Sequence, residues 1–446
     1  MGISRKTNNK TLLECVADVL QPKLPAGSSI VLGLSGGVDS VVLLHLLRQL
    51  SERYSWRLSA LHVHHGISPQ ADAWAAFCMG LCAREDIPLK IERVDISPLR
   101  HLGIEAAARA LRHAALARQQ SNFIALAHHQ DDQAETLILQ LLRGAGVRGA
   151  SAMPVLKWRD DAPALVRPLL DIARHTLTDY AQQHDLQWVE DESNADDTYP
   201  RNFLRHRALP LLQQCFPAYR TTLARSARHF AEASELLDEL AQQDAREAIL
   251  DKRLDVARLR QLTTARGKNL LRYFITTQDA PVPDSTRLDE MLRQLITARH
   301  DAQLCISWQG WQMRRYRCYA YVLPIPQPAL DFSADWRGET EISLPPPHGV
   351  LCFEHVIGLG ISTAKLHSGT VHIHPRRGGE RIRPDAKRPQ RALTVLLQEH
   401  GILPWQRDVL PLLFYDADLV CIPGVAIASA YQAQPGEAGI VVNWHT

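Results

Sequence analysis

The stretch Ser35-Gly36-Gly37-Val38-Asp39-Ser40 decides the fold because of the segments on either side of it. Before it, residues 29–34 form a short apolar run with the length and β-branching of a buried strand, and residues 41–48 after it have the composition of a buried helix. Two glycines in such a strand–turn–helix let backbone N–H groups approach an anion, and the helix N-terminus adds unpaired donors and a favourable dipole. The stretch therefore predicts a phosphate-binding loop; the alternative is an ordinary glycine-containing turn.

The loop is not a Walker A motif, because no Gly-x-x-x-x-Gly-Lys-Ser/Thr occurs in the sequence. It resembles the pyrophosphate-binding loop (PP-loop) of ATP pyrophosphatases, enzymes that cut ATP between its α and β phosphates. The resemblance implies that ATP is bound, and we expect its contacts at Ser35, Gly36, Gly37, Val38, Asp39, Ser40, His62 and His64.

Strand-like and helix-like segments alternate over the first ~215 residues, which predicts an α/β fold with a parallel sheet and helices on both faces. The predicted strands are residues 29–34, 58–63, 89–94 and 123–127, and the predicted helices are 10–20, 39–50, 71–84, 104–119 and 130–142. Ligands of such sheets lie beyond the carboxyl ends of the strands. Because residues 35–40, 62–66 and 128–132 follow three of those ends, we expect them to converge on one site.

The composition of the chain changes twice after the predicted α/β region. Residues 220 to about 298 are rich in helix-forming residues, with Asp284 or Ser285 predicted to cap the last helix. A proline-rich linker at 324–328 precedes a region with more Pro, Gly and short β-like runs and one helix near 390–400. We predict an α/β domain at 1–218, a helical domain at 219–323 and a small mixed α+β domain at 330–446.

Positive charge is clustered although the net charge of the 446-residue chain is only +2. Residues 201–228 hold six arginines and no acidic residue, and residues 376–391 hold seven Lys or Arg against Glu380 and Asp385. Such clusters indicate a polyanionic partner, the alternative being ordinary solvated faces.

Cysteine spacing and the apolar runs exclude several classes. The eight cysteines include no Cys-x-x-Cys pair, so zinc-ribbon, iron–sulfur and thioredoxin-like sites lack their ligands. Residues 1–9 have no apolar signal core, and no run of about 18 apolar residues is present to span a membrane. We expect a cytoplasmic enzyme with reduced thiols and no membrane partner.

Several segments together resemble the bacterial tRNA(Ile)-lysidine synthetase family. They are the PP-loop, His62-Val63-His64-His65-Gly66, Gly103-Ile104-Glu105-Ala106-Ala107-Ala108-Arg109, residues 127–136 with His128-His129-Gln130-Asp131-Asp132, and residues 142–146, 190–194 and 201–205, with 377–381, 405–408 and 411–415 near the C-terminus. The resemblance implies a ligase that uses ATP, Mg²⁺ and free lysine to convert the wobble cytidine of a CAU-anticodon tRNA(Ile) to lysidine. An adenylated cytidine would be the intermediate, and AMP and pyrophosphate the products.

The resemblance also implies roles for individual residues. Catalytic roles are expected for Asp39, Glu105, Arg109, Asp132 and Glu135, and the Mg²⁺ carboxylates are expected to be Asp39 and Asp132. Two alternatives stay open: one acidic residue of 131–135 caps its helix, and Glu105 and Arg109 form a surface ion pair at i and i+4.

Contacts with tRNA are expected from arginines, with the helical and C-terminal domains as the RNA-binding ones. The residues are Arg112, Arg201, Arg205, Arg207, Arg376, Arg377 and Arg381. The acidic run 190–192 either binds the lysine ammonium or ties down neighbouring arginines. The competing functions are another PP-loop tRNA-modifying or amide-forming ATP pyrophosphatase and a catalytically silent tRNA-binding protein. A homodimer is left open.

Overall fold

The computed structural model describes residues 10–192, 196–299, 303–328, 331–366 and 370–445, without the side chains of Leu102 and Glu105. Its contacts divide the chain into two units, Met1–Leu237 and Asp238–Thr446. The division falls within one long helix, Tyr219–Ala248.

Alternating apolar segments of the first unit form helices and strands, including all those predicted from the sequence. The helices are α1 (Leu12–Leu20), α2 (Val38–Tyr54), α3 (Ala71–Arg84), α4 (Ile104–Ala117), α5 (Gln130–Leu142), α6 (Val147–Ala150), α7 (Arg174–Gln183), α8 (Pro200–Phe203), α9 (Leu209–Cys215) and α10 (Tyr219–Ala248). The strands are β1 (Ser29–Gly33), β2 (Arg57–His64), β3 (Leu89–Arg93), β4 (Phe123–Ala125), β5 (Leu156–Lys157) and β6 (Ala164–Val166). Every strand and helix predicted between residues 10 and 142 forms, so the sequence prediction is confirmed for this region.

The first sheet has the strand order β3-β2-β1-β4-β6-β5. Neighbours are parallel except for β5, which runs antiparallel to β6. Successive strands extend from β1 to one side through β2 and β3, whereas the chain returns to the other side of β1 at β4. Ligands of doubly wound sheets bind where the strand order reverses in this way. The loops after β1 and β4 therefore lie next to each other at the expected binding edge.

Strand β1 is buried on both faces because its apolar residues alternate between two cores. Ile30 and Leu32 belong to the core that includes Leu43 and Leu46 of α2. Val31 belongs to the opposite core, with Leu116 of α4. Helices cover both faces of the sheet, as the alternating pattern predicts.

The second unit combines helices and sheets. Its helices are α11 (Val256–Gln261), α12 (Thr264–Thr276), α13 (Ser285–Thr297), α14 (Leu393–Glu399) and α15 (Pro404–Arg407). Its strands are β7 (Ile249–Leu250), β8 (Arg253–Asp255), β9 (Cys305–Trp308), β10 (Trp311–Tyr316), β11 (Tyr319–Pro324), β12 (Ala334–Trp336), β13 (Glu341–Ser343), β14 (Val350–Ile357), β15 (Ile361–Ser362), β16 (Val371–Pro375), β17 (Arg381–Ile382), β18 (Arg391–Ala392), β19 (Pro411–Tyr415), β20 (Asp418–Ile422), β21 (Ala426–Ile427) and β22 (Ala438–His445).

The region predicted as helical also carries a sheet, ordered β7-β8-β11-β10-β9. Its helical part is confirmed, including the Asp284 cap, whose carboxylate accepts the Arg287 N–H at 2.8 Å. The strands were missed although β9 alternates exposed and buried residues. The turn between β9 and β10 places Gln309 and Gly310 at positive φ, which suits a tight hairpin.

The C-terminal region is the expected mixed α+β module. Its sheets are ordered β12-β16-β19-β20-β21 and β13-β14-β22-β15, with a small β17–β18 pair, and their core includes Phe353, Ile373, Leu413 and Ile440. Helix α14 is the predicted helix near 390–400. In the described part of the chain, no helix is both long and apolar enough to cross a bilayer.

Candidate active site

Glycine is required at position 36 of the PP-loop for two reasons. Its φ is +90°, a conformation that side chains rarely adopt, and a Cβ there would lie 2.8 Å from Cγ2 of Val189 and 3.3 Å from Sγ of Cys78. The Val189 N–H also donates to the Gly36 carbonyl at 3.0 Å. The loop is therefore held tightly against the segment that leads into the acidic run 190–192.

The two serines of the loop hold its shape. Ser40 Oγ donates to the Gly37 carbonyl at 2.9 Å, accepts the Gly36 N–H at 3.2 Å and lies 3.1 Å from Ser35 Oγ. Ser35 Oγ accepts the Gly37 N–H at 3.3 Å. Sequence reasoning expects these hydroxyls to contact ATP; the structure places them in bonds within the loop.

Helix α2 begins at Val38 directly after Gly37. The first turn of a helix leaves N–H groups without intrahelical partners, and Gly37 has no side chain that can cap them. These donors, together with the positive end of the helix dipole, suit a phosphate group beyond the carboxyl end of β1.

Asp39 and Asp132 lie on either side of His129, because the strand order brings the N-termini of α2 and α5 together. His129 Nε2 is 3.6 Å from Asp39 Oδ2 and 3.5 Å from Asp132 Oδ2. The His129 N–H donates to Asp132 Oδ2 at 3.0 Å, so Asp132 also caps α5. Asp39 Oδ1 is buried and makes no hydrogen bond to the described residues. Asp132 thus caps α5 and also faces the site, so the two interpretations of this residue do not exclude each other.

Neighbouring charges and hydrogen bonds favour the charged forms of Asp132 and His129. Burial alone raises the pKa of Asp132, but the charges of His129 and Arg201 and the hydrogen bond from the His129 backbone N–H outweigh it and lower the pKa to about 2. Burial lowers the pKa of His129, but the hydrogen bond with Asp39 and the nearby carboxylates outweigh it, so the pKa lies above its ordinary value. The site therefore places the ionised Asp132 carboxylate and the carboxylate of Asp39 within 3.6 Å of one histidine nitrogen.

The donor set fits Mg²⁺ better than a softer metal. Among the described residues, no three His, Cys, Asp or Glu side chains are grouped to hold a metal ion by themselves. Mg²⁺ in phosphate sites is held by one or two carboxylates together with water and phosphate oxygens. Asp39 and Asp132 match that demand, and the unpartnered Oδ1 of Asp39 is a free ligand atom.

Arg201 and Arg205 neutralise the carboxylates of α5. Arg201 donates to Glu135 Oε2 at 2.7 Å and to Asp132 Oδ1 at 2.9 Å. Arg205 donates to Glu135 Oε1 at 2.7 Å and to Oε2 at 2.9 Å, and reaches Asp132 Oδ1 at 3.3 Å. The Glu135 side chain is only 1% exposed. These arginines, predicted as tRNA contacts, donate to carboxylates in the structure, and their role toward tRNA stays a prediction.

A π-helical turn, Leu204–Ala208, joins α8 to α9 and carries Arg205. Such insertions are frequent at functional sites, because they turn the following side chains to a new direction. Arg207 in the same turn is 69% exposed and donates to Asp197 at 2.7 Å. Of the arginines predicted between 201 and 207, Arg207 is the one most open to a partner.

Asp131 is engaged in structural contacts. Its Oδ2 accepts the Arg174 N–H at the start of α7 at 3.0 Å, and its Oδ1 pairs with Arg220 of α10. Asp131 therefore ties α5 to α7 and α10, and the acidic residue that caps α5 is Asp132.

The two histidines expected near ATP are engaged in contacts within the protein. His62 is buried and donates Nδ1–H to the Leu34 carbonyl at 2.9 Å, directly before the loop. His64 Nε2 lies 3.2 Å from Asp72, which also accepts from Arg93. Contact of either ring with ATP stays a prediction.

Arg109 and Arg112 are exposed on α4, and the side chain of Glu105 lies outside the described residues. Sequence reasoning missed Arg167, a buried arginine directly after β6. The sequence signal for this position is the apolar run 164–166 before it, but a run of three residues is too short to be recognised as a strand.

Models of known families match three parts of the chain. A PP-loop domain matches residues 6–212, the TilS substrate binding domain matches 254–321, and the TilS substrate C-terminal domain matches 371–444. The tRNA(Ile)-lysidine synthase of Nitrosomonas europaea is 44% identical over 100% of this chain and 98% of its own length. The tRNA(Ile)-lysidine synthase of Coxiella burnetii is 36% identical over 93% of each chain. Among solved structures, the U34-tRNA thiolase NcsA of Methanococcus maripaludis is 20% identical, with a TM-score of 0.44, over 49% of this chain and 77% of its own.

The parallel sheet, its glycine loop and the matched PP-loop model define the catalytic unit as a PP-loop ATP-utilising enzyme. Identity to relatives over nearly their whole length settles the rest: the chain belongs to the tRNA(Ile)-lysidine synthase family. The fold class and the family expected from the sequence are confirmed.

Proposed function

We propose that this protein uses ATP and free lysine to convert the wobble cytidine of a CAU-anticodon tRNA(Ile) to lysidine. The observation that carries the proposal is the buried, unpartnered Oδ1 of Asp39 between the PP-loop and Asp132, within a chain that belongs to the lysidine synthase family. Mg²⁺, lysine and cytoplasmic location are parts of the proposal; the free thiols of the described cysteines suit a reducing compartment.

The reaction has to overcome a poor leaving group. The carbon-2 carbonyl of cytosine is urea-like, so its oxygen first attacks the α-phosphorus of ATP; an O–P bond forms, the bond to the β-phosphate oxygen breaks, and pyrophosphate leaves. The lysine ε-amine then adds at carbon 2, loses a proton, and expels AMP, which carries the former carbonyl oxygen. Each step transfers an electron pair to a phosphate leaving group, and no oxidant is needed.

The PP-loop holds the departing pyrophosphate. The N-terminal amides of α2 supply donors, and the serine bonds within the loop keep it in shape before substrate arrives. Asp39 and Asp132 would hold Mg²⁺, which neutralises phosphate charge when it is bound.

The amine nucleophile needs a carboxylate, because a lysine side chain with a pKa of about 10.4 is protonated at neutral pH. Glu135 is saturated by Arg201 and Arg205, which argues against it as the base. The acidic run 190–192 follows Val189, which is bonded to the PP-loop. Asp132 accepts from the same two arginines and from the His129 backbone N–H, so we assign the ammonium to this acidic run, close to the reacting phosphate.

The distal arginines present a cationic loop to tRNA. Arg376, Arg377 and Arg381 line a cavity together with Gly378 and Gly379. The carboxylate of Glu380 accepts the N–H groups of Arg377 and Gly378 and so folds the loop from within. Arg377 is 62% exposed, and its guanidinium lies 3.9 Å from the Asp331 carboxylate. This arrangement suits phosphate contacts that position RNA without identifying bases.

Replacing Arg376, Arg377 and Arg381 with alanine is expected to weaken tRNA binding and flatten its dependence on salt. Each lost phosphate contact reduces the slope of log K against log salt by about 0.7–0.9. Filter binding of tRNA between low and moderate salt measures this. The control is Arg48→Ala, at an exposed arginine of α2 that pairs with Glu85. An unchanged slope would remove the cluster from the RNA site.

The direct test of function measures AMP and pyrophosphate release from ATP, with CAU-anticodon tRNA(Ile) and each amino acid in turn. Release that needs both the tRNA and lysine is the expected result. Release that needs tRNA but not lysine would retain the PP-loop chemistry and reject lysine as the nucleophile. Tight RNA binding without release would favour a silent tRNA-binding protein.

A further inference from the structure

Arg167 is a buried cation with an unused donor. It is 6% exposed; its Nη1 donates to the Pro154 carbonyl at 2.9 Å, whereas its Nε is buried without a hydrogen-bond partner. No carboxylate forms an ion pair with it among the side chains that the structure describes, which do not include that of Glu105. A buried guanidinium with an unmet donor is costly, so such groups usually face a ligand or a charge partner.

The surroundings of Arg167 are positive. Burial first, and then the charges of Arg109 and Arg159, lower the pKa of Arg167 to about 10. Burial lowers the pKa of His128 to about 3 and that of His113 to about 4, and the charge of Arg109 contributes to both decreases. The His128 ring is therefore neutral at pH 7, and its buried Nδ1 is also without a partner. The unpartnered Nε of Arg167 and the unpartnered Nδ1 of a neutral His128, in positive surroundings, together suit an anion.

Arg167 lies at the edge of the sheet formed by the carboxyl ends of the strands, where the PP-loop also lies. Strand β6 pairs in parallel with β4, with Val166 beside Ala125, and the Leu126 N–H donates to the Val166 carbonyl at 2.9 Å. Arg167 therefore follows the carboxyl end of β6 as His128 and His129 follow that of β4. The PP-loop follows β1, on the other side of β4.

We propose that Arg167, together with Arg109 and His128, forms a second phosphate-binding site beyond the carboxyl ends of β4 and β6, separate from the PP-loop. The proposal rests on ATP and tRNA being the substrates, and its ligand is either the α-phosphate that becomes AMP or a phosphodiester next to the target cytidine. Lysine is a poor occupant, because its net positive charge is repelled by the clustered arginines. The pyrophosphate portion belongs to the loop after β1.

The test compares wild type with Arg167→Met and Arg167→Lys in the full chain. Equilibrium binding is measured for AMP, for pyrophosphate and for CAU-anticodon tRNA(Ile) over a range of salt, and Tm is measured for each variant. The matched control is Arg315→Met, which removes an equally buried arginine whose donors are used on the carbonyls of Leu295, Ala298 and Arg317.

Arg167→Met is expected to keep its Tm within a few degrees of wild type and to lower the affinity for AMP or for tRNA at least about tenfold. Arg167→Lys should recover part of that affinity. Loss of AMP affinity assigns the site to the α-phosphate; loss of tRNA affinity with a shallower salt slope assigns it to the phosphodiester. Pyrophosphate binding should not change. Arg315→Met should lower Tm and leave all three affinities unchanged.

Three results would overturn the proposal: unchanged AMP and tRNA affinities in a folded Arg167→Met, an equal loss of pyrophosphate affinity, or an effect confined to the KM for lysine. Wild-type protein that fails to release AMP and pyrophosphate with tRNA and lysine would instead count against the proposed function. The two failures are thus separated by the wild-type assay.

Discussion

Asp39→Asn or Asp39→Ala is expected to lower pyrophosphate release by about 10²–10³-fold or more, while tRNA affinity stays within a few-fold of wild type. Asp39 lies in the first turn of α2, and its Oδ1 makes no bond to the described protein, so its removal breaks few structural contacts. The lost group is a carboxylate that would hold the Mg²⁺ needed to neutralise the phosphates as pyrophosphate leaves. Release of AMP and pyrophosphate under saturating substrates measures the effect.

The matched control for Asp39 is Asp18→Asn, which removes an aspartate that is 58% exposed and paired with Lys10 on α1. It should leave both release and Tm unchanged. A fall of more than tenfold in tRNA affinity, or a large drop in Tm, for the Asp39 variants would show that this carboxylate shapes the fold instead of acting on phosphate.

Glu135→Ala is expected to destabilise the first unit by about 3 kcal/mol, near the low end for removing one partner of a buried ion pair. The carboxylate is 1% exposed and accepts from both Arg201 and Arg205, which are left without their main acceptor. We expect a destabilisation at the low end of that range because the two arginine side chains are 22% and 25% exposed and reach water. Urea unfolding measured by circular dichroism gives the free energy of unfolding.

A second substitution makes the Glu135 prediction specific. Adding Arg205→Met to Glu135→Ala should recover part of the lost stability, because one unpaired cation is removed with its partner. Arg207→Ala, at an exposed arginine of the same π-helical turn, should change stability by less than about 0.5 kcal/mol. Unchanged stability of Glu135→Ala with complete loss of lysidine formation would instead identify Glu135 as a group that reacts directly.

The three carboxylates of α5 show how the structure divides a motif that looks uniform in the sequence. Asp131, Asp132 and Glu135 stand close together on α5. In the fold, Asp131 holds α7 and α10, Glu135 is enclosed by two arginines, and Asp132 faces His129 and Asp39. Only the last of these positions lies beside the PP-loop.

The sequence by itself determined the α/β architecture, the PP-loop and the order of the helices and strands up to residue 142. The reason is that these features depend on local properties: apolar periodicity, helix starts, and a glycine at a position that requires positive φ. The family resemblance likewise rested on short contiguous motifs. The sheet formed by β7–β11 was missed, because its strands are short and helix-forming residues dominate the composition of this region.

Only the tertiary structure decided which charged groups are free to act. Arg201 and Arg205 lie at least 66 residues from Glu135 in the chain, and sequence spacing gives no sign that they pair. Arg167 is a candidate phosphate ligand because β6 pairs with β4, which buries the arginine at the carboxyl ends of these strands. The physical reason is the same for both: ion pairing and burial depend on strand order and helix packing across the whole unit, whereas a motif records only neighbours along the chain.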